Sequence, residues 1–128
     1  MPSYDALHFD PPAPVAEVRL VSPEGAKSVS GVWLLLDTGA DVTLLPRTAV
    51  ERLGVPPLPD QRYQLMGFDR TTSFAPVVVL DMVFLNTAFR GRYLLVEREQ
   101  GILGRDVLNH VALLLDGPRR QWAQHSPP

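Results

Sequence analysis

Between Val15 and Val21 the chain alternates, with Val18 and Leu20 set against Glu17 and Arg19. That is the period-two pattern of a strand with one face in a core and the other in water. Pro23-Glu24-Gly25 ends it with a turn. A second run, Ser28 to Leu36, begins mixed and finishes Val32-Trp33-Leu34-Leu35-Leu36, so this strand is predicted to become covered on both faces toward its end. Val42 to Leu45 reads as a short strand. Pro46 to Gly54 predicts a short helix, with proline in its first turn, Ala49, Val50 and Leu53 on one face, and Gly54 as its stop. Pro76 to Phe84 and Thr87 to Val96 are β-rich runs around Leu85-Asn86, and Val111 to Leu115 and Arg119 to Ala123 flank Asp116-Gly117-Pro118. Each pair predicts a hairpin. No repeat of fixed period interrupts the series, which argues against a solenoid or propeller.

The chain has 128 residues, enough for one domain and too few for two. Eight of its 13 prolines gather at Pro11, Pro12 and Pro14, at Pro56, Pro57 and Pro59, and at Pro127 and Pro128. This divides the chain into a flexible arm at 1–14, a domain at 15–124 and a tail at 125–128, with an extended connector from Pro56 to Asp60 inside the domain. Hydrophobic content of 45% and charged content of 20% are those of an ordinary globular domain, and a net charge of -2 gives neither nucleic acid nor an acidic membrane a reason to bind. Without cysteine, disulfides and thiol chemistry are excluded. His8, His110 and His125 are far apart with no ligand-like spacing, so neither a metal nor another cofactor is expected. No apolar stretch reaches eighteen residues and Met1 to Asp5 lacks a basic, apolar leader, from which a cytoplasmic location is expected.

Chemistry concentrates where the second strand ends. Leu34-Leu35-Leu36 runs into Asp37-Thr38-Gly39-Ala40-Asp41, a carboxylate in a glycine-containing turn that the apolar flank is expected to bury. A carboxylate held from water, or facing a second carboxylate, gains proton affinity and suits acid/base work. Asp-Ser/Thr-Gly alone is weak evidence, because ordinary residue usage produces it in roughly one chain in twenty of this length. The weight comes from the apolar approach and from the acid and strand that follow. Read blandly, the tripeptide is a polar β-turn.

This segment resembles the active-site loop of retroviral-type (retropepsin-like) aspartic proteases. A second block, Ile102-Leu103-Gly104-Arg105-Asp106-Val107-Leu108, is similar to that family's other signature, two apolar residues and glycine before Arg and Asp or Asn open a short helix. The separation of the two blocks also fits, and the resemblance extends over residues 15 to 124. It implies an all-β, closed β-barrel-like fold with two short helices. It also implies an aspartic endopeptidase in which Asp37, Thr38 and Gly39 form the catalytic loop. Residues 39 to 41 (Gly39, Ala40, Asp41) would touch substrate. Arg105 would hold Asp41 in a charge-assisted ion pair. The family's mobile cover corresponds to Tyr63 through Thr72, where Met66, Gly67 and Phe68 become candidate substrate contacts. That segment has one glycine and an Asp69-Arg70 tip, which departs from retroviral flaps; core packing explains Met66 and Phe68 nearly as well.

Peptide hydrolysis needs a base to activate water and an acid to protonate the leaving amine, and two carboxyls sharing a proton can do both. No second Asp-Ser/Thr-Gly occurs: Asp116 precedes Gly117 directly, and Asp81 and Asp106 precede Met82 and Val107. The expected assembly is therefore a homodimer joining two copies of Asp37 on a two-fold axis, with a peptide or protein as substrate. The rival is a non-proteolytic peptide-binding or dimerisation module of the same fold. Trp33 and Trp122 are assigned to the core or to dimer contacts, and His110 to the cap of the second helix.

Overall fold

In the computed structural model, residues 1–66, Arg70 and 72–126 are described. The alternating run becomes β2 (Ala13–Val21), with Val18 and Leu20 buried and Glu17 and Arg19 exposed, and it pairs antiparallel with β3 (Ser28–Leu36). Ahead of it lies β1 (Tyr4–Asp5), antiparallel to Ala13 and Pro14. The segment expected as an arm at 1–14 thus contributes a strand, and the first residues of β2 fall within it. In β3, Val32 and Leu34 are buried while Trp33 is 43% exposed. Cover on both faces is incomplete, since Leu35 and Leu36 are only half-buried.

After the acidic turn come β4 (Leu44–Pro46) and α1 (Arg47–Leu53), which buries Ala49, Val50 and Leu53 and ends at Gly54 in the left-handed region (φ 78°). Gly54 donates its N–H to Val50 and Glu51 carbonyls, so two otherwise open acceptors at the helix end are satisfied. β5 (Arg62–Met66) and the 13-residue β6 (Thr72–Phe84) pair antiparallel from Arg62 opposite Pro76 to Met66 opposite Thr72. The predicted strand at Pro76 therefore begins four residues earlier. β6 turns back through Leu85 and Asn86, both at positive φ (53° and 61°), into β7 (Thr87–Val96). Two successive residues at positive φ make the turn type whose twist matches a two-residue hairpin.

β8 (Gly101–Leu103) runs parallel to β3, and α2 (Arg105–Leu108) follows directly. The last hairpin is β9 (Leu113–Asp116) and β10 (Gln121–Gln124), two residues later along the chain than its predicted start. In the larger sheet, β3 meets β8, β8 meets β4, β4 meets β7 and β7 meets β6; pairing of β6 with β2 then closes the ring. The all-β, barrel-like expectation with two short helices is met. Leu20, Leu34, Leu45, Leu80, Met82 and Leu103 fill the interior, fully buried.

The final hairpin is fastened by Trp122, which is 2% exposed, lies 6.0 Å from the Phe84 ring and donates its indole N–H to the Val15 carbonyl at 2.8 Å. Replacing Trp122 by alanine is expected to cost about 3–5 kcal/mol of unfolding free energy. Trp122→Phe, which keeps the ring and loses the hydrogen bond, should cost about 1 kcal/mol beyond its smaller packing loss. Urea unfolding of both variants checks this, and a Trp122→Phe variant as stable as the wild type would contradict the role given to the indole N–H.

Candidate active site

Asp37 follows β3 directly, and its position is set by main-chain bonds before any side chain acts. Its N–H donates to the Leu103 carbonyl (3.0 Å), extending the β3–β8 pairing into the turn. Its own carbonyl accepts the Ala40 N–H at 3.2 Å, and the Arg105 N–H donates to the Ala40 carbonyl at 2.8 Å. Each end of Asp37-Thr38-Gly39-Ala40 is therefore tied, one to β8 and the other to the first residue of α2. The carboxylate Oδ1 accepts the Gly39 N–H at 2.9 Å. A Cβ on residue 39 would stand 3.1 Å from that same oxygen, so glycine leaves the carboxylate uncrowded.

A buried threonine completes the attachment. Thr43 is fully buried, its hydroxyl donates to Asp106 Oδ1 at 2.6 Å and accepts the Gly104 N–H at 3.0 Å. Asp106 Oδ2 accepts the Thr43 N–H at 3.0 Å. One carboxylate in the first turn of α2 thus takes two donors from Thr43, between the acidic turn and β4, 63 residues away in sequence. The approach is close: a Cβ at Gly104 would lie 2.6 Å from the Val42 carbonyl oxygen, and one at Gly101 only 2.1 Å from that of Leu44. Side chains are sterically excluded at both positions.

The expected Asp41–Arg105 ion pair is not among those formed by the described residues. Arg105 donates Nη1–H to the Thr38 carbonyl at 2.7 Å, across the acidic turn, while Asp41 is exposed. With its main chain fixed on Ala40, Arg105 has a nearer acceptor in the turn itself, and a solvated pair would gain little. The tying acid is Asp106. Sequence reasoning passed over it, although a lone hydroxyl inside Val42-Thr43-Leu44-Leu45 signalled a buried group in need of a partner.

Burial of the turn is also not as expected. In the single subunit Asp37 and Ala40 are half-exposed and Thr38 and Gly39 exposed, so the three apolar residues lead up to a surface carboxylate. Of the remaining candidates, Gly67 and Phe68 lie outside the described residues, as does the side chain of Met66. His110 lies beyond the cap of α2, which is Asn109, and stacks near Phe89 at 6.4 Å. A cavity of about 600 Å³ between the start of β7 and α2 is lined by Phe89, Tyr93 and His110, among others, and does not include Asp37. Burial pushes the Tyr93 hydroxyl well above its ordinary range there. Among the described residues no three His, Asp or Glu side chains converge as metal ligands would.

A family model described as aspartyl protease matches residues 24–107, which takes in both the acidic turn and the start of α2. Among solved structures, the chain is similar to EIAV protease complexed with the inhibitor HBY-793, at 22% identity and a TM-score of 0.58. That likeness covers 83% of this chain and 91% of the other and shows a shared fold. No curated protein matches.

The hydroxyl of Thr43 is expected to be worth more than either charged neighbour. Thr43→Val keeps the shape and leaves the Gly104 N–H and one Asp106 oxygen unpaired, costing about 2–3 kcal/mol. Asp41→Ala, at an exposed site without a partner among the described residues, should change stability by about 0.5 kcal/mol or less. Chemical denaturation measures both; a larger loss for Asp41→Ala would restore the ion pair as the tie.

Proposed function

Because the chain belongs to the aspartyl protease family and has a retropepsin-like fold, we propose that it is an aspartic endopeptidase assembled from two identical subunits, each supplying Asp37. The observation that carries this reading is a single Asp-Thr-Gly turn, locked to β8 and α2 on its main-chain side and open on its carboxylate side. One carboxyl cannot be acid and base in the same step. Two at contact cannot both ionise, so they hold one proton between them. The ionised oxygen takes a proton from water as it attacks the peptide carbonyl, and the protonated one then serves the leaving amine. Thr38 and Gly39, exposed beside Asp37, are available to a partner subunit and to a substrate backbone respectively.

An exposed apolar face supports a partner of the same kind. Leu114 and Leu115 on β9 are each 53% exposed. Their hairpin is pinned by Trp122 to Val15, which pairs with Leu35 two residues before Asp37. A second copy covering that end of the barrel would bury these leucines while bringing the two turns together. Association should then control activity.

Incubation with a mixed peptide library between about pH 4 and 7 is the direct test. Wild-type protein is expected to cleave, with specific activity falling on dilution as the dimer separates, and Asp37→Asn is expected to lower cleavage by at least about 10²–10⁴-fold while sedimentation still shows a dimer. Cleavage that survives Asp37→Asn, or full activity in a sedimenting monomer, overturns the mechanism. Absence of cleavage by a wild-type dimer would favour the peptide-binding module instead.

A further inference from the structure

The cavity of about 600 Å³ between β7 and α2 has no part in the chemistry above. Its shape follows from the alternation of side chains along β7, where Phe89, Gly91 and Tyr93 share one face and Arg90 and Arg92 the other. The Tyr93 hydroxyl donates to the Phe89 carbonyl, so its ring lies back along the strand, over Gly91. A Cβ on residue 91 would stand 3.2 Å from that ring, and glycine makes the overlap possible. Tyr93, 2% exposed, is thus the floor. Phe89 stands beside it against the exposed imidazole of His110, and Asp106 and Val107 contribute the α2 side of the lining.

The cavity carries a negative charge that the fold leaves without a cation. Each Asp106 oxygen accepts one hydrogen bond from Thr43, and among the described residues no Lys, Arg or His forms an ion pair with it. The neighbouring arginines are engaged elsewhere. Arg90 grips Asp81 at 3.0 and 2.9 Å and the Pro23 carbonyl at 2.7 Å, Arg92 donates to Gln61, and Arg105 donates to the Thr38 carbonyl. Burial comes first in raising the Tyr93 hydroxyl above its ordinary range, and the charge of Asp106 adds to it, followed by that of Asp81. The Asp106 charge is therefore felt at the cavity floor.

We propose that this cavity is a binding site for the side chain of an arginine within a peptide or protein, its guanidinium stacked on the aromatic rings and paired with Asp106. Rings and a carboxylate together are complementary to a flat cation. Both Asp106 oxygens keep a lone pair free beyond the Thr43 bonds, which suits the forked donors of a guanidinium better than the point charge of an ammonium. Free arginine fits less well, because it would carry its own carboxylate toward Asp106. The site is separate from Asp37 and binds whether or not the protein cleaves peptides. An arginine held there shares its carboxylate with Thr43, the residue that ties the acidic turn to α2.

Calorimetric titration of the whole protein with N-acetyl-arginine amide, its uncharged citrulline counterpart and free L-arginine is the test. The arginine amide is expected to bind, the citrulline amide at least about tenfold more weakly, and free arginine more weakly than the amide. NMR amide shifts caused by the arginine amide should centre on Phe89 to Tyr93 and Arg105 to His110. Asp106→Asn should weaken binding at least about tenfold and His110→Ala about threefold, while Glu17→Gln, which removes an exposed charge on β2, leaves it unchanged. Asp106 also supports the fold; if Asp106→Asn unfolds, His110→Ala and the citrulline comparison decide. Absence of binding up to about 10 mM, equal binding of the arginine and citrulline amides, or shifts centred elsewhere overturns the site. Free arginine binding more tightly than the amide overturns a peptide as its occupant.

Discussion

The buried hydroxyl of Thr43 is the joint on which the acidic turn depends. A hydroxyl with no access to water must both give and receive, and here it gives to Asp106 and receives from the Gly104 N–H. Because the threonine follows the turn and both partners lie around the start of α2, satisfying it closes the stretch from Asp37 to Thr43 against β8 and α2. The three main-chain bonds at Asp37, Ala40 and Arg105 then have little freedom left. The same closeness accounts for the glycines at 101 and 104, where backbone oxygens of β4 and the preceding residues occupy the space of a side chain. The acidic turn of five residues thus inherits the rigidity of the barrel, which on the proposed reading is what oriented chemistry requires.

Most of the barrel could be read from residue patterns, because its strands are specified locally. Alternation in β2, the Leu85-Asn86 turn and the Pro46 to Gly54 helix each depend on residues within ten positions of one another. What escaped were choices of partner. The family resemblance implied a pair between Asp41 and Arg105, but the demand of a buried hydroxyl outranks that of two solvated ions, and Asp106 answered it. The prolines at 11, 12 and 14 signal a local break and say nothing of Gln100, which meets Asp5 only after the barrel has closed. Pro76 hid the first four residues of β6 for a related reason: proline interrupts a ladder, yet it is accepted where the strand passes from one neighbour, β5, to another, β7.

The site itself divides along the same line. Asp37, Thr38 and Gly39 were visible because their types and order, with the apolar run before them, carry the family resemblance. The elements that hold them were not, since Thr43 and Asp106 are ordinary residues made important by a contact across 63 positions. Exposure was misjudged too: the apolar run before Asp37 faces partly outward, with Trp33 exposed and Leu35 half-buried in the single subunit. An apolar strand that ends at a surface carboxylate looks inconsistent for a chain on its own and consistent for half of a larger core.

On the proposed reading, that inconsistency is what couples folding of the subunit to its activity. The barrel closes, fills its interior and fixes the acidic turn without any help, so position comes from one chain. Exclusion of water and the second carboxyl do not; they require the exposed faces around Leu35, Leu114 and Leu115 to be covered. Position and reactivity are therefore separate properties with separate origins. A change at Thr43 or Gly104 acts on the first in every subunit, whatever its concentration. One at the exposed leucines acts on the second through mass action, and raising the protein concentration can compensate for it. This difference in concentration dependence distinguishes a residue that builds the half-site from one that joins two halves, and it follows from where each lies in the fold.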